Sequence, residues 1–140
     1  MNEKGLIIVV SGPSGSGKGT VVKELLATDK KVGLSVSATT YSGNDYGTLR
    51  SEIERVTGAG LDLILEIEVE GAMQIKKLYG ERAVLVMLIA PNAAEQERRL
   101  RDRQTESEAV IAARLERTRY ELSLAPQYEY ILVNETNALT

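Results

Sequence analysis

"LIIVVSGPSGSGKGT", residues 6–20, joins an aliphatic run to a loop holding four glycines, a lysine and a threonine. A short, unbroken apolar run reads as a strand buried on both faces, as in a parallel sheet covered by helices. The loop has the form Gly12-x-x-x-x-Gly17-Lys18. Its glycines let backbone N–H groups turn inward as an anion nest, and the helix that follows adds the positive end of its dipole. Lys18 then serves as a mobile charge for β- and γ-phosphates. A flexible turn with a solvated lysine is the plainer reading. The strand before the loop and the helical pattern over 18–27 favour nucleotide binding. Gly19 stands where Ser or Thr often ligates magnesium, and the hydroxyl arrives one residue later at Thr20.

The rest of the chain repeats the alternation. "VGLSVS" (32–37), "LDLILEIE" (61–68), "AVLVMLIA" (83–90) and "YEYILV" (128–133) read as further strands. In 61–68, Leu61, Leu63, Leu65 and Ile67 share one face, and Asp62, Ile64, Glu66 and Glu68 the other. Helices are expected between them. Leu49, Ile53 and Val56 mark one, stopped by Gly58 and Gly60; Ala72, Ile75 and Tyr79 mark another, ending at Gly80. Asn92 with Glu95, and Thr105 with Glu108, have the capping-box form at two more helix starts. The last helix should turn Ile111, Leu115, Thr118 and Leu122 inward. Strands alternating with helices imply a three-layer α/β core around a five-stranded parallel sheet.

The 140 residues suit one domain, with 43% apolar and 26% charged residues. Seventeen basic and 20 acidic residues leave a net charge of -3, which argues against nucleic-acid or anionic-membrane partners. No apolar run approaches the roughly 18 residues of a membrane span. The start lacks a signal peptide's pattern, so a cytoplasmic protein is expected. There is no Cys and no His, hence no thiolate nucleophile, cysteine zinc site or imidazole base. Any metal would take oxygen ligands, which points to magnesium, with ligands unassigned.

Two groups of charged residues carry the remaining chemistry. Glu66 and Glu68 lie at the carboxyl end of their strand, where open α/β sheets bind ligands. They read either as solvated acids or as contacts for a base, magnesium or an arginine. Residues 97–114 hold five arginines. Such a set is commonly a solvated helix face, but phosphoryl transfer needs positive charge around the transferring group.

The ordered pieces "SGPSGSGKGT", "SVSATT", "GNDYGT", "LEIEVEGA", "RRLRDRQTESE" and "YILVN" resemble guanylate kinases over nearly the full chain, 6 to 134. The resemblance implies a P-loop NTPase fold and transfer of the γ-phosphoryl group of ATP to GMP, with ATP as donor and magnesium as its ion. It implies that Gly12, Pro13, Ser14, Gly15, Ser16, Gly17, Lys18, Gly19 and Thr20 cradle ATP, with Asn134 beside the adenine. Ser37, Tyr46, Thr48, Glu66 and Glu68 match GMP-side positions. Lys18, Arg99, Arg103 and Arg114 match the catalytic cations, the arginines belonging to a lid over about 99–114.

The chain departs from the family between residues 40 and 46, where a GMP-binding lobe is missing. "SATT" runs almost directly into "YSGNDYGT", and Tyr41 stands at the first GMP-phosphate arginine. Asp102 and Gln104 replace lid glycines. The family's further C-terminal helix is also missing after Thr140. The missing parts are either lacking from the protein or left out of this sequence; the second is favoured. A non-catalytic guanylate-kinase-like binding module and another P-loop nucleotide kinase are the rivals. Intact Gly17, Lys18 and lid arginines favour an enzyme. Oligomeric state is not legible.

Overall fold

The computed structural model describes residues 4–28, 32–38, 45–102 and 107–135; for residues 26, 28, 32–38 and 45–49 it describes the backbone alone. Among these residues five strands and five helices succeed one another, alternating except that α4 and α5 are consecutive: β1 (Ile7–Ser11), α1 (Lys18–Thr28), β2 (Val32–Ala38), α2 (Asp45–Gly58), β3 (Asp62–Ile67), α3 (Val69–Tyr79), β4 (Ala83–Ile89), α4 (Ala93–Asp102), α5 (Glu108–Ser123) and β5 (Tyr130–Val133). Short 3-10 turns at Gly80–Arg82 and Ala125–Gln127 precede β4 and β5.

The strands form one sheet in the order β2-β3-β1-β4-β5, and every pairing is parallel. The expected α/β architecture is therefore the one observed. β1 lies in the middle, with Val10 level with Glu66 of β3 on one side and Val86 of β4 on the other. The chain leaves β1 toward one edge and returns to the other, so the crevice for a ligand opens at the carboxyl ends of β1, β3 and β4.

Side-chain alternation sorts the sheet into two faces. Ile7, Val9, Leu63, Leu65, Ala83, Leu85 and Met87 pack with Ile53 and Val56 of α2 and Val69, Ala72 and Ile75 of α3. Val10 and Ile64 turn to the opposite face and meet Val22 of α1. The central strand β1, which has no polar alternation before Ser11, is thus covered on both faces.

Several sequence expectations change in detail. β3 ends at Ile67, and Glu68 is the N-cap of α3 rather than a strand residue. Leu61 is 37% exposed and precedes the strand, whereas Asp62 is buried and its carboxylate accepts from the Leu6 amide at 2.9 Å. The 105–108 capping box lies partly outside the described residues; the cap of α5 is Ser107, whose hydroxyl accepts from the Val110 amide at 3.3 Å. Asn92 does cap α4, with Oδ1 accepting from the Glu95 amide at 2.8 Å. On α5, Ile111 and Thr118 are buried as expected, but Leu122 is 41% exposed and Glu121 takes the inner position.

Candidate active site

The loop after β1 is held from below by two close approaches. A Cβ on Gly12 would lie 2.1 Å from the Leu88 carbonyl oxygen of β4, so only glycine lets the loop cross there. Gly15 and Gly17 have φ of 86° and 88°, a region that L-residues with side chains avoid. Alternating these with ordinary residues curls successive amides toward one concave side. At Gly17 a Cβ would also come within 2.2 Å of Asn134 Nδ2. Lys18 opens α1, and its ammonium donates to the Gly12 carbonyl at 2.6 Å, spanning the loop mouth. At Gly19 a Cβ would meet nothing within 4 Å; packing does not require glycine there.

The arginines divide by geometry. Arg98 and Arg101 point outward and pair with exposed acids: Arg98 with Glu95 and Asp102, Arg101 with Glu97 and Glu108. Hydrogen bonds from Arg98 and then Arg99 hold the Glu95 carboxyl down at about 2. Arg99, with its side chain 12% exposed, turns inward. It donates to the Gly15 carbonyl at 3.2 Å and to the Asn134 carbonyl at 2.8 Å. Arg114, on the next helix, donates to the Ser14 hydroxyl at 2.8 Å. Asn134 completes the ring, its amide donating to the Ser16 carbonyl at 3.0 Å. Arg99, Arg114, Asn134 and the loop are therefore brought together. Arg103 lies outside the described residues, as do the side chains of Ser37, Tyr46 and Thr48.

At the carboxyl end of the sheet, Glu66 stands near the end of β3, beside Val10 and Ser37 in register. Glu68 follows at the helix start, and its Oε2 is buried with no hydrogen-bond partner among the described residues. Among those residues no group of three or more acids could by itself hold a metal ion, and no helix is long and apolar enough to cross a membrane.

Three residues join the site that sequence reasoning did not single out. Gln96 is buried, and its amide donates to the Ser14 carbonyl at 2.9 Å and to the Thr118 hydroxyl at 2.7 Å. It thus ties α4, the loop and α5 together. Beside it, a cavity of about 500 Å³ lies between the loop, the end of β4 and these two helices, walled by Pro13, Pro91 and Leu115. Arg117 and Glu121 extend the polar contacts along α5: Arg117 donates to Glu70 of α3 at 2.6 Å, and Nε lies 3.8 Å from Glu121. Glu121 is 8% exposed, and burial pushes its carboxyl up against the opposing charges of Arg117 and Lys18. A polar residue inside "AAEQERRLRD" or "RLERTRYEL" carries no local mark of burial; the inward spacing of Thr118 and Glu121 was the one available clue.

The pattern of the family described as guanylate kinase matches residues 37–138. A guanylate kinase of Prochlorococcus marinus (strain MIT 9312) is 39% identical over 168 aligned positions, covering 95% of this chain and 90% of the relative. One from Streptococcus thermophilus (strain CNRZ 1066) is 39% identical, covering 96% of this chain and 81% of the relative. The crystal structure of guanylate kinase from Anaplasma phagocytophilum superposes with a TM-score of 0.65 at 24% identity, covering 96% of this chain and 79% of that one. A shikimate kinase from Acinetobacter baumannii gives 0.62 at 18% identity, covering 98% and 88%, a likeness of fold alone. Matched over most of its length in sequence and in fold, this chain belongs to the guanylate kinase family.

Proposed function

We propose that the protein is a guanylate kinase core that moves the γ-phosphoryl group of ATP to GMP, giving ADP and GDP. One observation carries the reading: Arg99 and Arg114, from two different helices, both hydrogen-bond the glycine loop. Arg99 also pairs with Glu95 of its own helix at 2.9 Å, but unlike Arg98 and Arg101 it reaches the loop as well. Positive charge gathered around a phosphate nest is what phosphoryl transfer requires.

The residue roles are those the family resemblance implies, and the loop contacts of Arg99, Arg114 and Asn134 support them. Gly12 to Thr20 hold the ATP phosphates, with Asn134 at the flank of the loop on the adenine side. Lys18, Arg99, Arg103 and Arg114 supply charge to the phosphates as the γ-group moves. Ser37, Tyr46, Thr48, Glu66 and Glu68 are the residues assigned to GMP. No side chain need form a covalent intermediate, because positioned in-line transfer is sufficient. Magnesium asks for one or two carboxylates plus substrate phosphates, and the orphaned Oε2 of Glu68 is an oxygen of that kind. Bound with ATP, the ion would neutralise charge on the phosphate oxygens. The residues from about 99 to 114 act as the lid.

Calorimetric titration of ATP with magnesium, followed by a coupled assay against GMP, AMP and UMP, tests the reading. Saturable ATP binding with GMP preferred over the other acceptors is expected. No saturable heat would leave a non-catalytic binding module, and AMP or UMP outpacing GMP would assign a different nucleotide kinase.

A further inference from the structure

Arg117 stands three residues beyond Arg114 on α5, and the reading of the site above leaves it without a role. Its terminal nitrogen donates to both carboxylate oxygens of Glu70, at 2.6 and 2.7 Å. Glu70 lies in the first turn of α3, two residues past Glu68. Arg117 Nε lies 3.8 Å from Glu121 Oε2, and its guanidinium carbon sits 5.1 Å from the centre of the Tyr120 ring. The Arg117 hydrogen bond holds the Glu70 carboxyl below the usual carboxylate range.

Residues 114, 117, 118 and 121 fall on one side of a helix, three and four apart. Along that side, Arg114 reaches the Ser14 hydroxyl, Arg117 reaches α3, Thr118 accepts from Gln96 of α4, and Glu121 is buried. A half-exposed ion pair contributes little to stability as a rule. A pair that spans two elements also fixes the rotation of α5 about its axis, and with it the direction of Arg114.

We propose that Arg117 is a positioning residue for phosphoryl transfer: clamped to Glu70, it holds α5 against the start of α3 and so aims Arg114 at the phosphates in the loop. The clamp also keeps the donor loop and the acceptor-side Glu68 in one fixed relation. The inference rests on the proposed binding of ATP.

The test is calorimetric titration of ATP with magnesium into the 140-residue chain, Arg117→Met, Arg114→Ala and the double variant. Because Arg117 acts through Arg114, Arg117→Met should weaken ATP binding about tenfold in the unaltered background. In the Arg114→Ala background the same change should cost less than about twofold. A loss confined to thermal stability, or an equal loss of ATP affinity in both backgrounds, overturns the proposal. Should Arg117→Met lose its cooperative melting transition, Glu70→Ala removes the same contact from the α3 side and is read in the same two backgrounds. Failure of the unaltered chain to bind ATP at all overturns the kinase reading and this inference together. Normal ATP binding by both the unaltered chain and Arg117→Met overturns this inference alone.

Discussion

Gly17 shows how a single residue serves both backbone and neighbour. Its φ of 88° costs a side-chain-bearing residue about 1–2 kcal/mol, and a methyl group would strike Asn134 Nδ2. Gly17→Ala should lower the thermal midpoint by about 3 °C or more and weaken ATP binding, because the displaced amide flanks the nest. Melting curves with and without ATP check both effects. Glu121 illustrates a different residue-scale effect. Burial raises its carboxyl, so the stability it contributes is full below the ordinary carboxylate value. That stability is lost as pH rises through the raised native value. Glu121→Gln should therefore gain on the unaltered chain progressively as pH climbs above the usual carboxylate range toward neutrality. Thermal midpoints from pH 4 to 8 would show the gap widening; a constant gap would refute the assignment. Glu70, lowered mainly by its Arg117 hydrogen bond, contributes with the opposite sign. Its share is present above the ordinary carboxylate value and lost as pH falls through the depressed one.

Elements form where local pattern and burial agree, and their ends shift where tertiary contacts intervene. α3 ends at Gly80 as its sequence indicates, the glycine adopting φ 57°. α5 is capped by Ser107, two residues beyond Thr105, the cap that the sequence suggested. Ser107→Ala should cost about 1 kcal/mol, read as a drop in the denaturation midpoint. An unchanged midpoint would mean that the Ser107 hydroxyl bond adds nothing. In α4, alternation of inward and outward arginines follows from the turn of the helix: Arg99 and Gln96 lie three apart on the side facing the loop. β5 departs furthest from expectation. All four of its residues, Tyr130 to Val133, are 47–59% exposed although the run is apolar apart from the Tyr130 hydroxyl. The reason is topological, since β5 is an edge strand paired only with β4.

At the scale of the whole molecule, the glycine loop, Arg99, Arg114 and Asn134 come together among the described residues, while of the residues proposed for GMP only Glu66 and Glu68 have described side chains. The Prochlorococcus relative aligns over 168 positions against 140 residues here, so it contains a stretch without counterpart in this chain. We propose that this stretch includes a GMP-binding lobe between 40 and 46, where the family resemblance sets Tyr41 against a phosphate-binding arginine. The 140-residue polypeptide is expected to bind ATP yet turn GMP over at a severely reduced rate, each lost charge-assisted bond costing about 1.5–3 kcal/mol. Near-normal turnover in the coupled assay would contradict it, and intact-mass measurement of the source protein establishes whether the chain exceeds 15.3 kDa. By itself the sequence determined the strand–loop–helix unit, the alternation of strands with helices and the anion nest. These are local or periodic features, set by glycine's backbone freedom and the spacing of apolar side chains. Only the tertiary structure decided which arginines turn inward, that Gln96 is a buried tie, that Glu121 lies beneath the site, and that β5 is an edge. Those depend on contacts between residues dozens of positions apart, and nothing in a charged residue's immediate neighbours records whether a distant element will pack over it.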